Sequence, residues 1–589
     1  MIGVAVGVSS HQLPHVLREY AFLADGERGA LIGPRGDVAW MCLPGWDSGA
    51  VFSSLIGGGG SYAVTPVGRF VWGGYYETRS LIWRSRWVTE TGIVECREAL
   101  AFPGDPHRAV LLRQVRGVEG RASLRIRLQP VADFGHHHLQ RLHRDAAGCW
   151  HAQVGGLRMR WRGAAEATVV GGDIAAERAL TSELTVAAGE SHDLVLELSD
   201  HPLPVTAPDP AGAWASTQTA WEEAIPTFGA LAAERDATHS YAVMRGMTTA
   251  GGGMVAASTM SLPERADEGA NYDYRYVWIR DQCYAGLAVA ADGAHPLLHS
   301  AVEFVSARLL EDGADLMPAY TAAGAAVPEE RQLALPGYPG GTDILGNHVR
   351  EQFQLDAFGE ALLLFAAAAD RVDLTRDVRR AASVAVDAIE KNWRSTDAGI
   401  WELADRQWTH SRLTCVAGLR AAAARGLTGD ASGFSALADS IVAEVSHTCL
   451  HPSGRWRRAP EDDRLDAALL LPGLRGALPA DDPRTQATYR AVRDGLSRDF
   501  YVYRFPPDAG LAASDSAFLL CGFVMAMCAA EQNDPVAAAR YFERSRSACG
   551  PPGLFSEEYD IRQRQMRGNL PQAFVHAVMF EASHRLASI

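Results

Sequence analysis

The hydrophobic period changes part-way along this chain, and that change limits what it can fold into. From about residue 20 to 200, apolar residues recur at every second position. In RASLRIRLQP, Leu124, Ile126 and Leu128 alternate with Arg125 and Arg127, as a half-buried antiparallel strand requires. LIWRSRWVTETGIVECREAL reads as a hairpin turning at Glu90-Thr91-Gly92, and AVLLRQV and LVLEL add further strands. Many short strands with few helical stretches predict a β-sandwich. HPLPVTAPDP then places four prolines between Pro202 and Pro210, through which neither a helix nor a central strand can run.

After about residue 236 the period becomes helical: in QFQLDAFGEALLLFAAAADRV, Leu355, Phe358, Leu362 and Phe365 follow steps of three and four. Further helices are predicted at 281–293, 296–310, 377–393, 409–424, 433–448, 484–499, 516–530, 534–546 and 572–587. Such a set builds a bundle, a solenoid or a closed toroid, and periodicity alone leaves the three open; no solenoid-type repeat is visible. The expected division is a β-sandwich over 1–205, a linker over 206–235 and a helical domain over 236–589.

A chain of 589 residues exceeds what one hydrophobic core usually holds, in keeping with two domains. Its formal charge of -15 excludes the positive field that nucleic-acid or anionic-membrane partners require. No window approaches eighteen uninterrupted apolar residues, and MIGVAVGVSSHQLPHVLREY lacks the basic start and apolar core of an export signal, so a cytoplasmic protein is expected. The nine cysteines are scattered without a C-x-x-C pair and read as reduced core thiols. No phosphate-loop, dinucleotide or H-E-x-x-H motif is present, and no cofactor is expected. FGHHHLQRLH holds His136, His137, His138 and His143, but consecutive histidines of a strand point to alternate faces, so a solvated loop or hairpin is expected rather than a metal site.

Four clusters mix aromatics, carboxylates and arginine between the predicted helices: NYDYRYVWIRDQ (271–282), GIWEL (399–403), VYRFPPDAG (502–510) and GLFSEEYD (553–560). Glycoside hydrolysis needs two carboxyls in unlike environments, aromatic faces for a sugar ring, and arginine or aspartate for its hydroxyls. Taken singly, each cluster also has a structural reading, as a salt bridge or a helix cap.

Together, the clusters resemble glycoside hydrolase family 15, the glucoamylase, glucodextranase and bacterial trehalase family. The likeness runs from EYAFLADGERGALIGPRGDVAWMCLPGWDSGAVFSSLIGG, similar to a trehalase-like N-terminal segment, through SLPERADEGANYDYRYVWIRD, LPGYPGGTDILGNHVREQFQLDAFGE, GIWELADRQWTHSRLTC and YRFPPDAGLAASDSAFLLCGF to GLFSEEYDIRQRQMRGNLPQAF. It implies an N-terminal antiparallel β-sandwich followed by an (α/α)6 toroid, with the active site in loops at one end of the barrel.

Carried over residue by residue, the resemblance makes Glu402 the general acid and Glu557, the first of the SEEYD pair, the general base. It assigns Tyr274, Trp278, Arg280 and Asp281 to the innermost glucose and Arg504 to the substrate. Trp401 joins the same cleft, with Gly337 and Tyr338 in a bordering loop. Trp401 and Leu403 would desolvate Glu402 and favour its acid form, while Ser556 and Tyr559 would donate to Glu557 and hold it ionised. Asp515-Ser516-Ala517-Phe518, Gln282-Cys283 and GGTDIL depart from the family's commoner wording. The leading expectation is an exo-acting, inverting hydrolase releasing β-glucose from small α-glucosides, with α,α-trehalase as the alternative within the family. An inverting disaccharide phosphorylase and a silent carbohydrate-binding protein are the alternatives of other classes.

Overall fold

The computed structural model describes residues 14–171, 176, 178–264, 271–427, 429, 431–506 and 516–587. Residues 1–13 of the opening segment, Asp515 and parts of two quoted clusters, 265–270 and 507–514, lie outside that set.

Among the described residues the N-terminal domain is an antiparallel sheet of 15 strands organised by one long strand, Arg108–Gln129. Its first half pairs with Gly92–Leu100 and Ser191–Ser199, its second half with Ser61–Pro66 and Ala179–Ala187. The two halves of the sheet close on one core, to which Tyr62, Leu124, Trp87, Trp161 and Leu196 contribute. Leu124, Ile126 and Leu128 are buried and Arg125 exposed, so the alternation in sequence is the alternation in space. The hairpin predicted at Glu90-Thr91 joins Trp83–Thr89 to Gly92–Leu100.

The stretch expected to be plain linker instead holds a helix, α1 (Pro210–Ala224), whose start the proline-rich segment prepares. Pro210 occupies the first turn, where its missing N–H costs nothing, and the Asp209 side chain accepts from the Gly212 N–H. Trp221 of α1 stacks on Phe102 of the sheet domain at 4.0 Å between ring centres.

Among the described residues twelve more helices follow: α2 (Glu234–Gly246), α3 (Ile279–Asp292), α4 (Pro296–Asp312), α5 (Asp356–Ala369), α6 (Arg376–Asn392), α7 (Thr409–Arg425), α8 (Ala431–Cys449), α9 (Leu471–Leu474), α10 (Pro483–Leu496), α11 (Leu519–Glu531), α12 (Pro535–Arg546) and α13 (Ala573–Leu586). Helix α3 packs on α5, α5 on α7, α7 on α9, α9 on α11, α11 on α13, and α13 returns to α3, which closes a ring. Around it lie α2 on α13, α4 on α3, α6 on α5, α8 on α7, α12 on α11, and α10 on the turn leading into α9. The arrangement is the (α/α)6 toroid. The sequence misses α2 and α9, the latter a single turn extended by the 3-10 segment Ala467–Leu470. The helix predicted from 516 begins at Leu519, because Ser516–Phe518 forms a strand with Glu558–Asp560.

Connections from an inner to the next outer helix are short, such as 293–295 and 532–534. Those from an outer to an inner helix are long, such as 247–278 and 547–572, so the irregular chain gathers at the N-terminal ends of the inner helices. All nine cysteines are free thiols. The histidine run lies around the turn Asp133–Gly135 and the strand Leu139–Arg144, and among the described residues its members form no three-donor group.

Inner helices α5 and α7 meet backbone to backbone: a Cβ on Gly418 would lie 2.4 Å from the Gly359 carbonyl oxygen. Gly418→Ala should therefore force the pair apart at a cost of about 1–3 kcal/mol and lower the calorimetric unfolding midpoint. Gly73→Ala, where a Cβ meets nothing within 4 Å, should leave it in place. An unmoved midpoint in Gly418→Ala would show that the contact yields without cost.

Candidate active site

The segment 271–278 is anchored from below. Arg275 and Asp273 form a fully buried ion pair of 2.7 Å, and Arg275 also donates to the carbonyls of Trp46 and Ser48 in the N-terminal domain. With these two side chains committed to the sheet domain, Tyr274 and Trp278 are set toward the proposed glutamates. Their rings meet edge to face at 5.4 Å. The Trp278 indole N–H donates to Glu402 at 2.7 Å, and the Tyr274 hydroxyl donates to Glu557 at 3.4 Å. The aromatic pair thus stands between the two carboxyls.

Glu402 sits on a tight turn with φ of 54°, in the left-handed region that non-glycine residues rarely adopt. The turn is held by Asp397, whose carboxylate accepts from the N–H groups of Gly399 and Leu355 and from the Ser411 hydroxyl. A backbone outlier so heavily braced is a known mark of functional sites. Arg280, in the first turn of α3, lies 3.8 Å from Glu402, 3.1 Å from Asp281 and 2.8 Å from the Ile400 carbonyl. The contacts of Glu402 are therefore polar donors, not the apolar flanks expected from its sequence neighbours. Trp401 turns away to donate to Asp466 at 2.9 Å and packs on Phe518.

Glu557 differs more from expectation. The Ser556 hydroxyl donates to the Glu558 carbonyl, and the Tyr559 ring stacks on Tyr501, so neither supplies the carboxyl of Glu557. The neighbour that does reach it is Glu264: the Tyr274 hydroxyl lies 3.2 Å from Glu264 and 3.4 Å from Glu557, and a Cβ on Gly568 would touch both side chains. Burial, with Glu264 adding to it, pushes Glu557 well above the usual carboxylate range, against the opposing pull of Arg504. Arg504 lies 3.3 Å from Glu264 and pairs more closely with Glu558. Tyr338 borders the N-terminal domain. Its hydroxyl donates to the His15 carbonyl at 2.8 Å, because the Gly337 N–H is bonded to the Ile56 carbonyl and the loop is laid against the N-terminal domain.

The sequence missed Glu264, Asp466 and Phe518. Glu264 was legible only as the last residue of SLPE within the quoted family wording; nothing in its own neighbourhood marks it.

Beneath the cleft the barrel interior is acidic. Burial pushes Asp281 up to about 6 against the pull of Arg280, and Asp356 likewise to about 6. Glu360, one turn deeper on α5, is pushed up to about 8 by burial, opposed by Arg475. Burial and Arg280 lower His410 to about 3 and keep it neutral.

The glycosyl hydrolases family 15 profile matches residues 238–584, and a trehalase-like N-terminal profile matches 9–153. A trehalase of Mycobacterium tuberculosis is 30% identical over 610 aligned positions, covering 96% of this chain and 89% of that one. A trehalase of Thermoplasma acidophilum is 27% identical over 57% of this chain and 59% of its own length. Among solved structures, a bacterial glucoamylase complexed with acarbose superposes with a TM-score of 0.71 at 13% identity, covering 100% of this chain and 97% of that one.

The raised Glu360 gives a signed prediction. Its folded value of about 8 lies above the ordinary 4.5, so the folded state holds a proton that the unfolded state releases, and stability falls as pH rises through that window. The thermal midpoint of the wild type should therefore drop between about pH 5 and pH 8. Glu360→Gln, which keeps the neutral shape, should flatten that drop; an equal drop in both proteins would refute the assignment.

Proposed function

The chain belongs to glycosyl hydrolase family 15, and on that premise we propose that it is an inverting α,α-trehalase. What carries this reading is a likeness to a trehalase that runs through both domains, whereas the likeness to a solved glucoamylase is one of fold alone. The broader expectation of glucoamylase-like action on maltose or isomaltose gives way to it.

In this reading Glu402 protonates the oxygen that joins the two glucoses. Glu557 takes a proton from a water attacking the opposite face of C1, so the new C1–O bond forms as the glycosidic bond breaks. Trp278 and Arg280 orient the acid and Tyr274 orients the base. Arg280, Asp281 and Arg504 receive hydroxyls of the bound glucose, with Trp401 in the cleft wall. The two carboxyls are expected to stand about 6.5–9.5 Å apart, which leaves room for the water.

Proton NMR taken directly after mixing with trehalose tests this. The attacked glucose inverts to β while the departing one keeps its α configuration, so the two anomers should appear in equal amounts. Release of α-glucose alone overturns inversion. Faster turnover of maltose or isomaltose overturns the trehalase reading, and a glucose phosphate formed in phosphate buffer replaces hydrolysis by phosphorolysis. Glu402→Gln and Glu557→Gln should each lower kcat by about 10²–10⁴-fold with unchanged circular dichroism. Glu558→Gln, acting through Arg504, should mainly raise KM; an equal loss of kcat would undo the division between the adjacent glutamates.

A further inference from the structure

Three carboxyls and one guanidinium meet at the base end of the cleft. Glu264, Glu557 and Glu558 are 6%, 6% and 1% exposed, and Arg504 is the cation that contacts two of them. Glu264 is brought there by the Gly568 N–H bond to the Pro263 carbonyl, which ties its loop to the chain just beyond Glu557. The Tyr274 hydroxyl lies 3.2 Å from Glu264 and 3.4 Å from Glu557, and so spans the pair. The remaining groups facing the pair are Tyr272, half-buried and stacked on Tyr274, and Glu402 across the aromatic pair.

Two ionised carboxylates cannot rest against each other in a buried site. A carboxyl-to-carboxyl hydrogen bond needs one proton between them, as in any like-charged pair that titrates in two steps. Arg504 offsets a single charge and is already engaged by Glu558. Among the described residues no second cation touches the pair, since Arg280 is committed to Asp281, Glu402 and the Ile400 carbonyl.

We propose that Glu264 is a positioning residue that shares one proton with Glu557, so that the Glu264–Glu557 dyad, and not Glu557 alone, sets the pH at which the base becomes available. The inference rests on Glu557 being the base. The base becomes available once the shared proton has left the dyad and Glu557 is ionised beside Glu264, with Arg504 offsetting one of the two charges. The water's oxygen bonds to C1, its proton passes to Glu557, and the proton of Glu402 leaves with the departing oxygen. The dyad then holds one proton again, which must return to solvent before the next cycle, as Glu402 regains one. Glu264 thus acts through Glu557, and Tyr274 keeps both carboxyls in register.

The test is the acidic limb of the kcat/KM–pH profile for trehalose. Glu264→Gln removes the like charge while keeping the shape, so Glu557 should ionise more easily. The limb should then move to lower pH by about one unit or more, a tenfold or larger change in proton affinity. Glu264→Asp, which retains a carboxyl, should restore a limb near that of the wild type. A merely structural role would lower kcat or the thermal midpoint without moving the limb. A limb that stays in place in folded Glu264→Gln, with Glu557→Gln inactive, overturns the dyad and leaves the base standing. An active Glu557→Gln would overturn the base assignment itself. Should Glu264→Gln fail to fold, Glu264→Met supplies the same charge removal, and its limb must move the same way.

Discussion

The Asp273–Arg275 ion pair is the contact on which the cleft depends. A buried pair is costly unless its remaining hydrogen-bonding capacity is used. Here it is used: Asp273 accepts from the Arg275 guanidinium, the Tyr276 hydroxyl and the Gly346 N–H. Arg275 donates to Cys42, Trp46 and Ser48 of the sheet domain. One ion pair thereby fastens the loop before α3 to both the N-terminal domain and the loop at residue 346. The N-terminal domain is in this sense part of the site without contributing a residue to it, since the positions of Tyr274 and Trp278, and through them of both glutamates, follow from that anchorage.

Much of the fold was legible because its signals are periodic. Alternation marked the strands, and steps of three and four marked most helices within a residue or two. Closure of the ring was not legible, because its fourth inner member, α9, is one turn long and offers no period to read. Among site residues, those named for chemistry within a motif, Glu402, Tyr274, Trp278, Arg280 and Arg504, do come together. What failed was inference from sequence neighbours. Glu557 precedes the strand Glu558–Asp560, where the Ser556 hydroxyl is taken by the Glu558 carbonyl and the Tyr559 ring by Tyr501, so neither of these near neighbours in sequence serves its carboxyl. Its real neighbour, Glu264, lies on a loop almost three hundred positions away in the chain, and no local pattern encodes that meeting. Tyr338 has a partner that its own neighbourhood does not announce either: its hydroxyl is taken by the His15 carbonyl of the N-terminal domain.

The two ends of the cleft are built unlike each other, as a reaction with one proton donor and one acceptor requires. Glu402 meets an indole N–H and a guanidinium, both donors, on a strained turn. Glu557 meets a second carboxyl and a tyrosine hydroxyl shared with it, just before the central strand of a three-stranded sheet. The difference lies in which groups the toroid delivers to each carboxyl, not in the glutamates or their immediate sequence.

So many acids in one place raise the question of what offsets them, and the toroid itself supplies part of the answer. The long loops lie at the N-terminal ends of the inner helices, where the unsatisfied N–H groups make the field positive. Helices α3, α5, α7, α11 and α13 all start without a side-chain cap. Acids stand at two of these starts, Asp281 and Asp356 in the first turns of α3 and α5, and Asp466 accepts from the Ala468 N–H at the turn into α9. Asp466 in turn fixes Trp401, and Asp281 fixes Arg280, so acids tolerated by the helix ends hold the groups that surround Glu402. The field of each helix end fades within about a turn, which is where these acids sit; Glu360, one turn farther down α5, lies beyond its reach and is pushed up farther by burial than Asp281 or Asp356. Closing six helices into a ring thus creates an acidic, polar mouth at one end, while a carboxyl buried below it is either protonated, as Glu360 is, or paired with a cation, as Glu581 is with Arg475.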